Sequence, residues 1–582
     1  MKEEHILEVS EYLEKSDYDS IDKLLRSLSV ENEEKDYNYW LLKAIVARKK
    51  NSETELIDSI IGGMKASPIA YEMYDYLGDY FIDKNKNKAY LCYEMASFYC
   101  GNEDKSIIRS KMDSLYQDGN ISVKPVSIII PSYNCCDMMK KCIQSIRDNN
   151  PSETYEIVVV DNASEDGILE WLKEQQDIVL IANSENVGFP IACNQGINAA
   201  KRDNDIFLLN NDTVVPLNAI FWLRMGLYES DSVGATGSVS NHVTNYQRVD
   251  VNYKTVEEYI NWAYTNNVLS LNPYEKKLFL IGFALMMKRT VLDKIGLLDE
   301  QFSPGNYEDN DIGFRINEAG YQVLLCRNSF ILHYGHTSFK KDPESFKKLL
   351  QRNKEYFIKK WGADFDYYCN IRMELIGCIK DSSEKDIKVL EIGCGAGATL
   401  SKIQYLYPNA TVKGVELSES VSKMAGTYLD VIQGNIENMQ MDYEEEYFDY
   451  IIFGDVLEHL TDPLATICKV KKYLKKDGKI IASIPNLLNY TVIVPLLKGH
   501  FKYEESGLLD KTHCHMFTRI EAIKMFIQAG FDIEKMDGII IPYELSEEDQ
   551  NLFEEIIKLP GVVSKSEFEV YQHIFVASRK EY

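Results

Sequence analysis

The 582-residue sequence predicts an α/β protein, organised as a helical region followed by two α/β domains. Three observations carry that prediction. Residues 1–118 hold few glycines, almost no proline and no convincing strand, and their apolar residues recur at helical spacing. From Ile121 the texture changes to continuous β-branched runs separated by helical periods, the pattern of βαβ units around a mostly parallel sheet. The same texture restarts at Ile387, beyond a polar stretch, Asp381 to Asp386, that reads as the end of a linker over 366–386. The length also exceeds what one core serves, at ~100–200 residues per domain.

Within the helical region, Tyr74, Leu77, Gly78 and Phe81, followed by Ala89, Tyr93 and Ala96, place small residues where two helices would touch. That order resembles a tetratricopeptide repeat, and Tyr39 to Pro68 follows it more loosely. An irregular helical bundle is the alternative. The region holds no catalytic constellation, so it is expected to dock a protein partner.

Composition sets outer bounds. Lys and Arg total 64 against 90 Asp and Glu, a formal net charge of −26, which argues against a nucleic-acid binder and against a basic lipid-docking patch. With 45% hydrophobic residues and 15 prolines the chain is not disordered. The longest apolar run, Leu278–Met287, is half of the ~18–20 residues needed to span a bilayer. Met1-Lys2-Glu3-Glu4 opens no signal peptide. The twelve cysteines lack paired C-x-x-C spacing, so neither a zinc site nor a disulfide framework is expected. The expected location is the cytoplasm.

The first α/β domain, expected over 122–365, has three strands whose ends are polar. Val126–Ile130 stops at Pro131-Ser132-Tyr133-Asn134, Glu156–Val160 at Asp161-Asn162, and Ile206–Leu209 at Asn210-Asn211-Asp212. Ligands of open α/β sheets bind beyond the carboxyl ends of the strands. A carboxylate there can bond a base or ribose, and an exposed Asp212 can ligate Mg²⁺ or Mn²⁺. Each residue alone is an ordinary turn former.

With Asn186-Val187-Gly188-Phe189-Pro190, Asn194-Gln195-Gly196, Gly282-Phe283-Ala284 and Tyr307-Glu308-Asp309-Asn310-Asp311 in order, the segment 122–340 resembles a family 2 glycosyltransferase of GT-A fold. The resemblance implies a nucleotide-sugar donor, dTDP- or UDP-linked, whose base and ribose are held by Pro131, Tyr133 and Asp161. Asp212 would be the second acid of the family's metal-binding D-x-D, with Asn210 at the first position and fewer charged ligands as a result. Asp309 would be the general base of an inverting transfer, flanked by Glu308 and Asp311; an acid-rich helix N-terminus is the plain alternative. His333 would reach the metal or the diphosphate, with His336 the competing choice.

The second α/β domain, expected over 385–582, opens on Val389-Leu390-Glu391-Ile392-Gly393-Cys394-Gly395-Ala396-Gly397, a strand running into a glycine-rich turn. Glu416 follows about twenty residues later, where an acid suits a ribose diol. Gly434-Asn435-Ile436 and Asp455-Val456-Leu457-Glu458-His459 complete a series that resembles the Rossmann-like S-adenosylmethionine-dependent methyltransferases. By that resemblance Glu391, Gly393 and Gly395 cradle the methionine part, Glu416 takes the ribose, Asn435 and Ile436 flank the adenine, and Asp455 lies near the methionine moiety. His459 is the candidate base; alternatively Asp455, Glu458 and His459 form a metal site, as in some related O-methyltransferases. His513 and His515 either line the acceptor side or pack there.

The expectation is a bifunctional glycan-building enzyme that adds a sugar, a deoxyhexose such as rhamnose, and O-methylates the glycan. A surface polysaccharide or a flagellar or other surface glycoprotein would be the acceptor. The rival is a glycan-binding or scaffold protein with one degenerate domain.

Overall fold

The computed structural model describes residues 3–30, 36–119, 121–244, 246–335, 343–559, 561 and 563–580. The competing histidine, His336, lies outside them. The helical region comprises α1 (Glu3–Glu14), α2 (Tyr18–Val30), α3 (Tyr37–Lys49), α4 (Glu53–Ala66), α5 (Tyr71–Phe81), α6 (Lys86–Tyr99) and α7 (Asn102–Gln117). Asp36 and Asn85 cap α3 and α6 by accepting the Tyr39 and Lys88 N–H groups. Glycines let paired helices close on large rings. A Cβ on Gly78 of α5 would sit 2.4 Å from the Tyr93 ring of α6, and one on Gly62 of α4 would sit 2.3 Å from the Trp40 ring of α3.

The chain divides into two units, Met1–Phe357 and Ile358–Tyr582. In the first, the helices and the following sheet share one core, in which Tyr74, Leu77, Tyr93 and Ala96 join Ile128, Phe207, Phe221 and Trp222. Polar contacts fix the joint. Arg224 pairs with Glu94, the Tyr99 hydroxyl bonds the Asn218 side chain at 2.9 Å, and the Asn85 amide donates to the Tyr228 carbonyl at 2.9 Å. Part of the helical surface is therefore already covered by this chain itself.

The strands of the first unit are β1 (Val126–Ser132), β2 (Tyr155–Asp161), β3 (Ile178–Ala182), β4 (Asp205–Leu209), β5 (Thr213–Val214), β6 (Val233–Val239), β7 (Tyr274–Lys277), β8 (Ala284–Met287), β9 (Gln322–Phe330) and β10 (Leu332–His333). Eight form one sheet in the order β3-β2-β1-β4-β8-β6-β9-β7, while β5 and β10 pair separately. The first four strands run parallel and β8 runs antiparallel to both neighbours, giving a GT-A-like mixed sheet. Strands covered on both faces read as unbroken apolar runs, and Ile128–Ile130 and Val158–Val160 are fully buried. Strand order reverses at β1, where a ligand crevice opens.

The second unit carries β11 (Lys388–Ile392), β12 (Thr411–Glu416), β13 (Val431–Gln433), β14 (Phe448–Gly454), β15 (Leu474–Pro485), β16 (Phe531–Ile540) and β17 (Val570–Arg579). Their order, β13-β12-β11-β14-β15-β17-β16, is Rossmann-like up to β15, and β17 then inserts antiparallel to β15 and β16. The order reverses at β11, beside the glycine-rich turn.

The 366–386 segment differs from a plain linker. Ile371, Leu375, Ile376, Cys378 and Ile379 are buried in the second unit's core, and the longest continuous exposed run is Ser382–Asp386. The short helices Phe365–Tyr368 and Met373–Ile376 break the apolar period, which hid this packing from the sequence. Among the described residues, no helix is long and apolar enough to cross a membrane.

Candidate active sites

In the first unit, the loops after β1 and β2 are tied together. The Asn134 N–H donates to Ser164 Oγ at 2.8 Å, and the Glu165 N–H to Asn134 Oδ1 at 2.9 Å. Asp161 closes β2 fully buried. Its Oδ2 accepts from the Ser164 N–H, whereas Oδ1 has no partner among the described residues. A buried lone carboxylate oxygen is costly unless something donates to it, so the position fits a ligand hydroxyl or N–H. Pro131 is half-buried and Tyr133 exposed beside it.

Asp212 and His333 are distant in sequence but meet because β5 pairs antiparallel with β10, setting Thr213 opposite His333. His333 Nε2 lies 3.1 Å from Asp212 Oδ1 and 3.5 Å from the Asn210 amide nitrogen. The Asn241 side chain clamps both sides of the His333 peptide, and His333 Nδ1 meets the His242 carbonyl at 2.7 Å. Burial works to lower the His333 pKa, but hydrogen bonding and charge from Asp212, with the His242 carbonyl, leave it raised. Asp212 is only 5% exposed, not the exposed strand end expected, because the β5–β10 ribbon covers it. Its oxygen and the imidazole nitrogen are a donor set suited to a hard or borderline divalent cation.

Asp309 lies in the first turn of the helix Glu308–Glu318. Its Oδ2 accepts from the Gly282 N–H at 3.0 Å and its Oδ1 from the Asn310 N–H at 2.9 Å. The next residue, Phe283, stacks on the His333 ring at 5.2 Å, so one turn touches both Asp309 and the Asp212–His333 pair. The Asn186–Phe189 loop arrives from the other side, where a Cβ on Gly188 would lie 2.6 Å from Pro304 Cα. Burial raises the Asp309 pKa against the backbone donors that lower it. Burial, then the charge of Asp309, raises that of Glu308, one of whose oxygens is buried without a partner among the described residues.

Sequence reasoning missed what holds this loop. Asn306 and Tyr307 both adopt left-handed backbone, φ +77° and +76°, which costs ~1–3 kcal/mol per residue without glycine. Asn353, buried on the helix Pro343–Trp361, donates to the carbonyls of Phe302, Gly305 and Asn306 at 2.7, 2.9 and 3.1 Å. A lone Asn on an amphipathic helix carries no sequence signal for such a role.

In the second unit, Gly393, Gly395 and Gly397 all adopt positive φ in the turn after β11. The Gly395 N–H donates to Glu416 Oε2 at 2.9 Å, and the Ser418 N–H to Glu416 Oε1 at 2.8 Å. The Gly434 N–H donates to the Glu416 carbonyl, which sets Asn435 and the buried Ile436 beside the end of β12. Glu391 is buried, and one of its oxygens has no partner among the described residues. Burial pushes its pKa up to about 8, with Glu416 raising it further and Arg372 opposing. The turn, the ribose-type acid and the unsatisfied Glu391 oxygen together fit a cationic nucleoside such as S-adenosylmethionine.

Asp455, at φ +56°, is fully engaged: Arg372 pairs with it, Ser483 Oγ donates at 2.9 Å and Gln572 at 2.7 Å. Arg372 comes from the segment read as linker, which explains why this network was not legible. Glu458, His459 and His513 instead draw together, their ligand atoms within 4.8 Å of one another. They border a cavity of about 140 Å³ also lined by Tyr367, Asp510 and Tyr571. The alternative metal set of the sequence reading thus has His513 in place of Asp455. His515 Nε2 meets the Thr461 carbonyl at 3.1 Å.

Residues 127–296 match the family described as Glycosyl transferase family 2, and residues 363–536 match a Methyltransferase domain. The chain is 24% identical over 264 residues to an uncharacterized glycosyltransferase, YfnE, of Bacillus subtilis, covering 36% of this chain and 65% of that protein. It is 25% identical over 145 residues to a malonyl-[acyl-carrier protein] O-methyltransferase of Bacillus cytotoxicus, covering 24% of this chain and 50% of that protein. The chain thus spans between half and two thirds of these relatives' lengths. A mannosyltransferase from Pyrobaculum calidifontis, solved with GDP-Man and Mn²⁺, is 16% identical with a TM-score of 0.30, over 49% of this chain and 73% of that one. The chain carries a glycosyltransferase family 2 domain and, after it, an S-adenosylmethionine-dependent methyltransferase domain.

Proposed function

We propose that the chain is a bifunctional glycan-building enzyme: the first domain, over 122–365, transfers a sugar with inversion from a dTDP- or UDP-sugar, and the second, over 385–582, O-methylates the glycan. A deoxyhexose such as rhamnose is the preferred sugar, from the resemblance of the Asn186–Phe189 and Asn210–Asp212 motifs, and a surface polysaccharide or surface glycoprotein, modified in the cytoplasm, the preferred acceptor. The observation that carries the reading is the meeting of Asp212, His333 and Asp309 around the Gly282-Phe283 turn of the first unit, in whose sheet Asp161 also ends a strand, while the second unit carries a nucleoside-type turn of its own. Tethering raises the effective concentration of the shared glycan.

In the sugar transfer, Pro131, Tyr133 and Asp161 hold the base and ribose, with the unsatisfied Asp161 oxygen as acceptor. Asp212 and His333 would hold a divalent cation, Mg²⁺ or Mn²⁺, that would neutralise the diphosphate leaving group, with Asn210 and Asp212 also on the nucleotide sugar. Asp309 takes the proton of the acceptor hydroxyl as that oxygen attacks the anomeric carbon from the far face. In the second site, S-adenosylmethionine supplies the methyl group. Glu391, Gly393 and Gly395 hold its methionine part, Glu416 its ribose, Asn435 and Ile436 its adenine. Asp455 stands near the methionine part and anchors Arg372. His459, which borders the cavity beside Asp455, is the candidate base for the acceptor proton. A further expectation is a protein partner for the helical region, on the part of its surface that the sheet leaves open.

The test is incubation of the full chain with dTDP- and UDP-sugars, S-adenosylmethionine and candidate glycans, reading product mass. Gain of a sugar and then of methyl groups supports the proposal; donor turnover by neither unit sinks it. Asp212→Ala is expected to weaken Mn²⁺ and nucleotide-diphosphate binding together, since the cation bridges them, and transfer undiminished in EDTA would remove the cation from the scheme.

Glu391 adds a pH dependence. Its pKa near 8 leaves it protonated at neutral pH, and a cationic ligand beside it favours the ionised form. Binding of S-adenosylmethionine should then release a proton, and affinity should rise with pH by up to about tenfold per unit until pH 8. Calorimetry in buffers of different ionisation enthalpy reads the proton directly. Glu391→Gln should abolish the release; an unchanged release would place the titrating group elsewhere.

A further inference from the structure

A cavity of about 360 Å³ lies in the first unit, between the helical region and the amino ends of the first two strands. Tyr90, Glu94 and Ser97 of α6 line it, as do Arg109, Asp113 and Tyr116 of α7. Both sets follow i, i+4, i+7 spacing, so each helix turns one face to the cavity. Lys124, just ahead of β1, and Glu153, just ahead of β2, line it from the sheet side. The residues of the candidate transfer site lie at the carboxyl ends of the same strands. β1 spans seven residues, so at ~3.3 Å per residue roughly 20 Å separate the two. The volume is that of a small-ligand site, ~300–1,000 Å³.

The polar groups of the lining are fixed by the fold. Glu94 is held by Arg224, itself 4% exposed, which also donates to the Lys124 carbonyl at 3.2 Å. A carboxylate held in this way is a preorganised acceptor, and the guanidinium that holds it is spent. Ser97 is 8% exposed and lines the cavity, yet its hydroxyl has no hydrogen bond among the described residues. Burying a hydroxyl is costly unless something bonds it, so the position fits a polar ligand.

Charge narrows the class of that ligand. Arg224 cancels Glu94, and Arg109 and Lys124 are matched by Asp113 and Glu153. A lining without net charge, in a chain of net charge −26, offers little to a phosphate, a nucleotide or a polycation. It offers charged donors and charged acceptors to a neutral ligand rich in hydroxyl groups, each of which can donate and accept. Tyr90 and Tyr116 add ring surface for an apolar C–H face, and Tyr116 is 70% exposed. A pyranose combines those two properties.

We propose that this cavity is a sugar-binding subsite, which holds the acceptor glycan at a residue some units back from the one being extended. The source of the sugar rests on the glycosyltransferase reading, whereas the binding of a neutral sugar does not. Holding one glycan at two points makes the second contact intramolecular, so longer acceptors gain affinity with no change at the reacting centre.

Saturation-transfer NMR on the full chain, with methyl α-rhamnoside, methyl α-mannoside and methyl β-glucoside as probes, reads sugar binding alone. Tyr116→Ala and Arg109→Ala change exposed side chains, so the fold should hold. Expected is transfer to the sugar C–H protons in the parent chain, with affinity about tenfold weaker in either variant. In transfer assays KM should fall with acceptor length. Both variants should lose that fall and keep the parent kcat on the shortest acceptor. No glycoside signal, or a signal that neither variant weakens, overturns the subsite and leaves this face to a protein partner. Displacement of the glycoside by inorganic phosphate overturns the neutral-ligand assignment. Glycoside binding with KM indifferent to acceptor length overturns the hold on the acceptor and makes the ligand a free sugar. Binding weakened by both variants in a chain that transfers no sugar supports the sugar site and sinks the glycosyltransferase reading.

Discussion

Asp309→Asn is expected to lower sugar transfer by ~10²–10⁴-fold while leaving donor affinity within a few-fold, read as kcat against the Kd of the nucleotide sugar. A base is needed where the acceptor proton leaves, in the transition state, so its loss falls on kcat. The substitution is close to isosteric. The Asn310 and Gly282 N–H groups can still be accepted by the amide oxygen one at a time, so the loop should hold its shape. The neighbours make poor replacements. Asp311 is buried and holds Arg315 at 2.8 Å, and Glu308 is buried with its pKa raised by burial and by Asp309 itself. Removing the Asp309 charge relieves part of that shift, so slow residual transfer by the variant would identify Glu308 as the substitute. Transfer at the parent rate would remove the base assignment.

Much of the fold was legible because buried parallel strands leave unbroken apolar runs. Val126–Ile130, Glu156–Val160, Ile206–Leu209 and Ile387–Ile392 all fall on strands β1, β2, β4 and β11 or their edges. Polar residues after those strands mark the site, because a ligand crevice is where polar groups can end a buried strand. What stayed hidden depends on long-range pairing or on lone polar residues. The two-residue strands β5 and β10 are too short to carry a period, yet they bring His333 to Asp212. Asn353 and Arg372 each act through hydrogen bonds made across folded segments, and neither sits in a motif. The helical region read correctly as helices, but its fusion to the sheet through Glu94–Arg224 and the Tyr74–Phe221 contact is a property of tertiary packing alone.

Gly395→Val should abolish methylation and leave sugar transfer intact. Gly395 holds φ +54°, a left-handed conformation that a β-branched residue adopts only at a cost of ~1–3 kcal/mol. There is no room besides. A Cβ there would lie 2.7 Å from the Tyr368 carbonyl oxygen, a backbone atom that also accepts the Ala396 N–H at 2.9 Å. Relief of the clash must move either the 365–370 segment or the turn whose Gly395 N–H orients Glu416. Either movement spoils the surface offered to the nucleoside, so S-adenosylmethionine affinity should fall by about a hundredfold or more, equivalent to at least ~2.7 kcal/mol. Asp161, Asp212, His333 and Asp309 belong to the other unit, with its own core, and separate domains respond independently to substitution. The glycan made by the variant should therefore carry its sugar and be lighter by one CH₂ for each methyl group lost. Loss of the sugar as well would mean that the two units fold or act as one, and an unchanged methylated glycan would remove the cofactor from this turn.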